Sequence, residues 1–241
     1  MKTTLWNPIR GCHQISTGCK HCYIALGDSK KGRNFDQIEV TTQYDRPVRK
    51  NKKGDYQIPS GTLVYTCFSS DFLLDDIDAY RDDFWKMMKE RSDLTFLFLT
   101  KRIDRFMDVM PSDFESHYQH VHVGVSVENQ EMADLRLPYL IQAPISHKSI
   151  ICQPLIGPID ISFYLKGIDL VVVGGEASKE GRIMDISWVD AIRKQCLDAH
   201  VDFSYRQAAS NTMKNGILNH IPWNQLAKNA RETIFESSGG K

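Results

Sequence analysis

Three cysteines crowded near the N-terminus are the residues of this chain best equipped for chemistry: Cys12-His13-Gln14-Ile15-Ser16-Thr17-Gly18-Cys19-Lys20-His21-Cys22. Cys19 and Cys22 can grip one metal centre from a single tight turn, and Cys12 reaches it from the preceding loop. Gly11 and Gly18 permit the sharp backbone that such a wrap needs. Thiolates select zinc or iron–sulfur clusters over hard cations. A structural zinc site closes its tetrahedron with a fourth Cys or His. Here that ligand would be His13 or His21, and His21, lying between Cys19 and Cys22, turns inward with difficulty. A cubane cluster on three thiolates instead leaves one iron open to a substrate or cofactor. Cysteines that serve packing alone are the plainest alternative. That plain reading is the one for Cys67, Cys152 and Cys196, which are scattered through apolar stretches as small core residues.

The elements that must position this loop alternate short apolar runs with helical segments. Strands are expected at Thr3–Trp6, Thr62–Cys67, Thr95–Leu99, Val121–Val125, Ser149–Cys152, Asp169–Val173 and Asp202–Tyr205. Helices are expected near Ile77–Arg91, Arg102–Val109, Asn129–Gln142 and Ser187–Ala199, the last opened by a Ser187/Asp190 pair resembling a capping box. Pro222 suits the first turn of a final helix to about Phe235, followed by a frayed tail, Ser237-Ser238-Gly239-Gly240-Lys241. Runs such as Val171-Val172-Val173 suit parallel strands covered by helices. The fold class expected is therefore α/β, a partial or complete parallel (β/α) barrel. Residues 1–241 read as a single domain, with an elaborated polar insertion over about 27–61 and a C-terminal helical extension over about 208–241.

In such barrels the C-terminal ends of the strands line the site. The expected strands end in Ser69-Ser70-Asp71, Thr100-Lys101-Arg102, Ser126-Val127-Glu128-Asn129, Gln153, Gly174-Gly175-Glu176 and Arg206-Gln207. Together these outline one pocket. Lys101 and Arg102 suit a phosphate or cofactor carboxylate, and Arg102 would equally cap the helix it begins. Trp85, Trp188 and Trp223 read as packing residues, Trp6 as a shield for the cysteine loop, and His120 and His122 as satisfied structural histidines.

Several stretches recur together in one known family: Trp6-Asn7-Pro8, Gly11-Cys12, Gly18-Cys19-Lys20-His21-Cys22-Tyr23, Leu99-Thr100-Lys101-Arg102, Val123-Gly124-Val125-Ser126-Val127-Glu128-Asn129-Gln130, Pro154-Leu155-Ile156-Gly157-Pro158-Ile159-Asp160 and Val173-Gly174-Gly175-Glu176. With these the chain resembles a phage- and prophage-associated, radical-SAM-like family of unknown function. The likeness runs from Trp6 to about Gln207. It implies a barrel of the radical-SAM type and a [4Fe-4S] cluster on Cys12, Cys19 and Cys22. It further implies S-adenosylmethionine on the open iron, cleaved reductively to a 5′-deoxyadenosyl radical. By position, Ser69, Ser70 and Asp71 resemble groups that hold the methionyl amino group. Glu128, with Ser126, resembles a ribose-side group, and Lys101 joins the cofactor side. Gln153, Glu176, Arg206 and Gln207 fall to the substrate pocket. The family's cysteine spacing, six residues then two, differs from the usual radical-SAM three then two, and His21 stands where an aromatic residue commonly precedes the last cysteine. The family often has Glu where this chain has Gln153, and Lys-Gln-Trp-Gly where it has Arg206-Gln207-Ala208-Ala209, so substrate choice is where this chain would differ.

Composition narrows the partners. Lys+Arg and Asp+Glu balance at 30 each, so no global field draws in nucleic acid. A polynucleotide would rely on a local patch such as Arg46, Arg49, Lys50, Lys52 and Lys53, or that patch is a solvated loop. No apolar run approaches the roughly 20 residues that span a bilayer, and no secretory pattern opens the chain. A cytoplasmic protein without membrane contact is expected. The leading expectation is a single-cluster radical enzyme acting with an electron donor on a nucleotide or nucleic-acid base. The alternative is a non-catalytic zinc module that binds nucleic acid or protein.

Overall fold

All seven expected strands form: β1 (Thr3–Trp6), β2 (Leu63–Thr66), β3 (Thr95–Thr100), β4 (Val121–Ser126), β5 (His147–Cys152), β6 (Leu170–Gly174) and β7 (Asp202–Gln207). In the computed structural model, which describes residues 2–237, they make one seven-stranded sheet whose spatial order is the chain order. The pairings β1 to β2, β2 to β3, β3 to β4, β5 to β6 and β6 to β7 are parallel. Between strands run α1 (Tyr23–Ser29), α2 (Asp78–Glu90), α3 (Phe106–Val109), α4 (Phe114–His117), α5 (Gln130–Gln142) and α6 (Ile186–Asp198), and α7 (Leu226–Ser237) follows β7. Parallel strands joined by helices, ending at β1 and β7 without closure, are the partial form of the barrel expected. From Ser238 onward, the tail expected to fray lies outside the described residues.

The chain divides into two compact units, Met1–Ile15 with Ile24–Val125 and Gln142–Lys148, and Ser16–Tyr23 with Ser126–Ile141 and Ser149–Lys241. The first is built on an aromatic core. Phe72 stacks on Phe98 at 4.5 Å, Trp85 meets Phe72 edge-on, and Trp6 meets Phe84 and Phe96 edge-on. Such pairs add about 0.5–1.5 kcal/mol each beyond the area they bury. Trp6 is fully buried as a member of this core. Its indole Nε1 donates to the carbonyls of Gln43 (3.0 Å) and Tyr44 (3.1 Å), which pins the 27–61 insertion to β1.

The basic residues of that insertion are also occupied within the unit. Arg46 donates to the Leu5 carbonyl and to Thr4 Oγ1, Arg49 pairs with Asp45, and Lys50 lies over the Tyr56 ring. Three members of the candidate nucleic-acid patch thus hold the insertion together. Arg91, fully buried, donates to the carbonyls of Pro47 and Ile58 and to Asp93. Its guanidinium sits 4.0 Å from the Tyr56 ring centroid. His120, expected to be structural, bonds the Met88 carbonyl at 2.9 Å.

In the second unit α6 begins one residue earlier than expected. Asp185, and not Ser187, caps it: the Asp185 carboxylate accepts from the Ser187 amide at 2.8 Å. The segment after β7, expected to be helical, opens instead with a hairpin, Asn211–Lys214 against Ile217–His220. Asn215 and Gly216 both take positive φ (52° and 76°), the signature of a two-residue type I′ turn. Met184–Asp185 adds to this hairpin in parallel. Trp223, expected to pack, is exposed. Among the described residues no helix is long and apolar enough to cross a membrane.

Replacing Arg91 with Met would leave two buried carbonyls unpaired and cost roughly 3 kcal/mol, seen as a lower Tm. The Arg91 guanidinium is also the main reason the Asp93 carboxyl is held down at about 2. A depressed folded-state value means Asp93 stabilises the fold above its unfolded value near about 4. That contribution is lost as pH falls toward 2. Arg91→Met should therefore flatten the acid limb of the stability profile between about pH 4 and 2, as measured by denaturant titration at stepped pH. An unchanged limb would contradict this pairing.

Candidate functional site

Backbone bonds close the turns at Cys19 and Cys22, from the Cys19 amide to the Ser16 carbonyl (3.0 Å) and from the Cys22 amide to the Cys19 carbonyl (3.1 Å), and side chains reach the loop from outside. In the first unit the stretch leading to Cys12 is seated by the residues just beyond β2. Ser69 Oγ donates to the Ile9 carbonyl (2.8 Å), Ser70 Oγ to the Gly11 carbonyl (2.5 Å), and the Gly11 amide to the Ser69 carbonyl (3.2 Å). Gly11 has φ +91°, a conformation that side chains rarely adopt.

Asp71, also buried, organises the next strand end. Its carboxylate accepts from Thr100 Oγ1 (2.7 Å), the Lys101 amide (3.0 Å), the Leu73 amide (3.0 Å) and Arg102 Nη1 (3.1 Å). Arg102 stands at the start of the short turn after β3 but does not cap it. Its guanidinium turns to the cysteine loop, with Nη2 on the His13 carbonyl at 2.8 Å and Nη1 at 3.6 Å from Cys12 Sγ.

The second unit holds Cys19 and Cys22 through two buried carboxylates. Glu128, fully buried, accepts from Ser16 Oγ (2.8 Å) on Oε1 and from Arg136 Nη1 (2.9 Å) on Oε2. Arg136 Nη1 also donates to the Ser126 carbonyl at 2.7 Å. Glu128 approaches the loop so closely that a Cβ on Gly18 would lie 2.2 Å from its Cγ. Glu176 bonds His21 Nδ1 at 2.9 Å and the Arg182 amide at 2.7 Å, and pairs with the Arg182 guanidinium. Arg182 Nη1 in turn donates to the Thr17 carbonyl at 2.9 Å. Burial alone would raise the Glu176 carboxyl, but the hydrogen bonds from Arg182 and His21 outweigh it and hold it below the ordinary value. Both ends of the Thr17–His21 stretch are thus clamped by one carboxylate–guanidinium pair.

The residues assigned to a pocket take distinct places in this unit. Gln153 is half-buried and rests on Gly174, where a Cβ would meet its Cδ at 2.8 Å. Gln207 Nε2 donates to the Gly175 carbonyl at 2.9 Å, and Arg206 is exposed at the end of β7. The sequence singles out both glutamates, and in the structure their oxygens bond residues of the cysteine loop. Sequence reasoning missed Ser16, Arg136 and Arg182. Only Arg136 carried a signal, as a cation on the helix after Glu128.

The three cysteines of the loop differ in setting from the other three. Cys12, Cys19 and Cys22 are half-buried, and no cysteine is in a disulfide. Cys67 and Cys152 are fully buried, and burial pushes their thiols up; it pushes Cys196 to about 11. Those three are inert core residues, as their setting in the sequence implies. Among the described residues no group of three or more His, Cys, Asp or Glu side chains is gathered as a metal site.

Comparison with known proteins adds a family and a fold. A family model described as Protein of unknown function (DUF5131) matches residues 2–236. No curated protein matches. Among solved structures, a cysteine-to-serine variant of spore photoproduct lyase is similar at 12% identity and a TM-score of 0.53, over 87% of this chain and 76% of that one. A tyrosine-to-phenylalanine variant is similar at 14% identity and 0.52, over 96% and 72%. A double variant with bound AdoMet and dinucleoside spore photoproduct reaches 14% and 0.50, over 98% and 74%. At these identities the likeness establishes the fold.

Gly18→Ala would drive a methyl into Glu128 and should destabilise the protein by roughly 1–3 kcal/mol. Gly27→Ala, with nothing within 4 Å of the added methyl, is the control. Thermal unfolding of the two variants checks this; equal melting temperatures would contradict the contact between Glu128 and the loop.

Proposed function

We propose, from the premise that the chain belongs to the family described as Protein of unknown function (DUF5131), that it is an iron–sulfur enzyme using S-adenosylmethionine. The observation that carries this reading is the loop of Cys12, Cys19 and Cys22, three half-buried thiols outside any disulfide, on a parallel sheet of the radical-SAM type. When bound, a [4Fe-4S] cluster supplies the electron that cleaves S-adenosylmethionine to a 5′-deoxyadenosyl radical, with an external electron donor.

The chain's own residues hold and orient these groups. Cys12, Cys19 and Cys22 ligate the cluster. Ser69 and Ser70 set the backbone before Cys12 while Asp71 orients Arg102, and the two hydroxyls keep acceptor capacity for the cofactor's amino group. Lys101, Ser126 and Glu128 belong to the cofactor side, Glu128 through its grip on Ser16 and Gly18. Gln153, Arg206 and Gln207 face the substrate, with Glu176 as the wall that carries His21. An exposed arginine and two carboxamides suit a phosphate-bearing, base-containing molecule. A solved structure similar in fold holds AdoMet with a dinucleoside, which supports a substrate of nucleotide to dinucleotide size. The balanced charge argues against tight binding of a long polynucleotide.

Anaerobic reconstitution, followed by chromatography of dithionite-treated mixtures, tests this. The wild type should bind about four irons and form 5′-deoxyadenosine from S-adenosylmethionine. The Cys12→Ala/Cys19→Ala/Cys22→Ala variant should do neither. Tightly bound zinc with no cleavage would overturn the reading in favour of a binding module.

A further inference from the structure

We propose that Arg102 is a positioning residue that fixes one N–H donor on the Cys12 sulfur and so raises the reduction potential of the cluster, an inference that rests on the function proposed above. The donor is held by two anchors. Asp71 anchors Nη1 at 3.1 Å, the His13 carbonyl anchors Nη2 at 2.8 Å, and the same Nη1 points to Cys12 Sγ at 3.6 Å. Arg102 and Asp71 are both buried, so the guanidinium is shielded from the water that would screen it.

The two anchors leave little freedom for another task. Asp71 is itself fixed by Thr100 Oγ1 and by the Lys101 and Leu73 amides, so the pair cannot swing away without breaking several bonds. A donor to a ligating sulfur and a nearby positive charge both stabilise the reduced, more negative state of an iron–sulfur centre. Adding one electron from an external reductant is then less costly beside Arg102 than without it. Asp71 opposes this. Its carboxylate partly cancels the charge that it orients, so the two residues set the potential in opposite directions. A purely structural ion pair would predict no such opposition, because removing either partner would simply loosen the loop.

The test is potentiometric titration with dithionite, read by the spectroscopic signal of the reduced cluster, in wild type, Arg102→Gln, Arg102→Lys and Asp71→Asn, with iron and sulfide counted in each. Arg102→Gln should shift the reduction equilibrium at least tenfold toward the oxidised form, or 59 mV for a one-electron couple. Arg102→Lys, which keeps the charge but not the fixed fork, should shift it less in the same direction. Asp71→Asn should shift it the opposite way. Should Arg102→Gln fail to fold or load iron, Arg102→Lys and Asp71→Asn decide the matter by their opposite signs. Loaded clusters with unchanged potentials, or shifts of one sign in all variants, overturn this inference alone. A wild type that binds no iron overturns the proposed function and this inference with it.

Discussion

Two buried carboxylates must each find enough donors, and that constraint shapes the rest of this site. An ionised carboxylate removed from water is tolerated only when its lone pairs are filled by fixed donors. Glu128 fills its own with Ser16 and Arg136, and Glu176 with His21 and Arg182. Because Ser16 and His21 bracket Cys19, satisfying the carboxylates fixes the turn that presents Cys19 and Cys22. Asp71 does the equivalent in the first unit, where its donors bring Arg102 to Cys12. Charge pairing from outside the loop thus adds to the backbone bonds that close its turns.

The seven strands were legible because buried parallel strands read as apolar runs, and each run ended within about two residues of the observed strand. What escaped was of two kinds. Short elements such as α1 and the Ile9–Arg10 pairing with Glu39–Val40 carry too few residues to show a period. The hairpin after β7 did carry a signal, Asn215-Gly216, and a search for positive-φ dipeptides would have found it. Closeness along the chain to Cys12 suggests a shielding role for Trp6 and gives no sign of its aromatic neighbours. Its ring faces Phe84 and Phe96, far along the sequence.

The candidate site was legible in its residue types and not in its pairings. Cys12, Cys19 and Cys22 stood out by spacing, and the two glutamates by their place after β4 and β6. Their partners lie from six to more than a hundred positions away, as with Glu176 to Arg182 and Glu128 to Ser16. No local rule connects residues at such separations. The same limit applies to the basic residues of the insertion. As a run they suggest a nucleic-acid patch, and only the fold reveals that Arg46 and Arg49 are bound to nearby carbonyls and carboxylates. The glycine pair after β6 likewise resembles a cofactor motif, while here Gly174 makes room for Gln153.

The central claim is that three thiolates hold a cluster with one iron left for the cofactor. The most direct measurement is Mössbauer spectroscopy of protein reconstituted with isotopically enriched iron, recorded before and after S-adenosylmethionine is added. The account predicts that one iron in four differs from the rest and that its signal alone shifts with the cofactor. Four equivalent irons indifferent to S-adenosylmethionine, or no cluster at all, would contradict it.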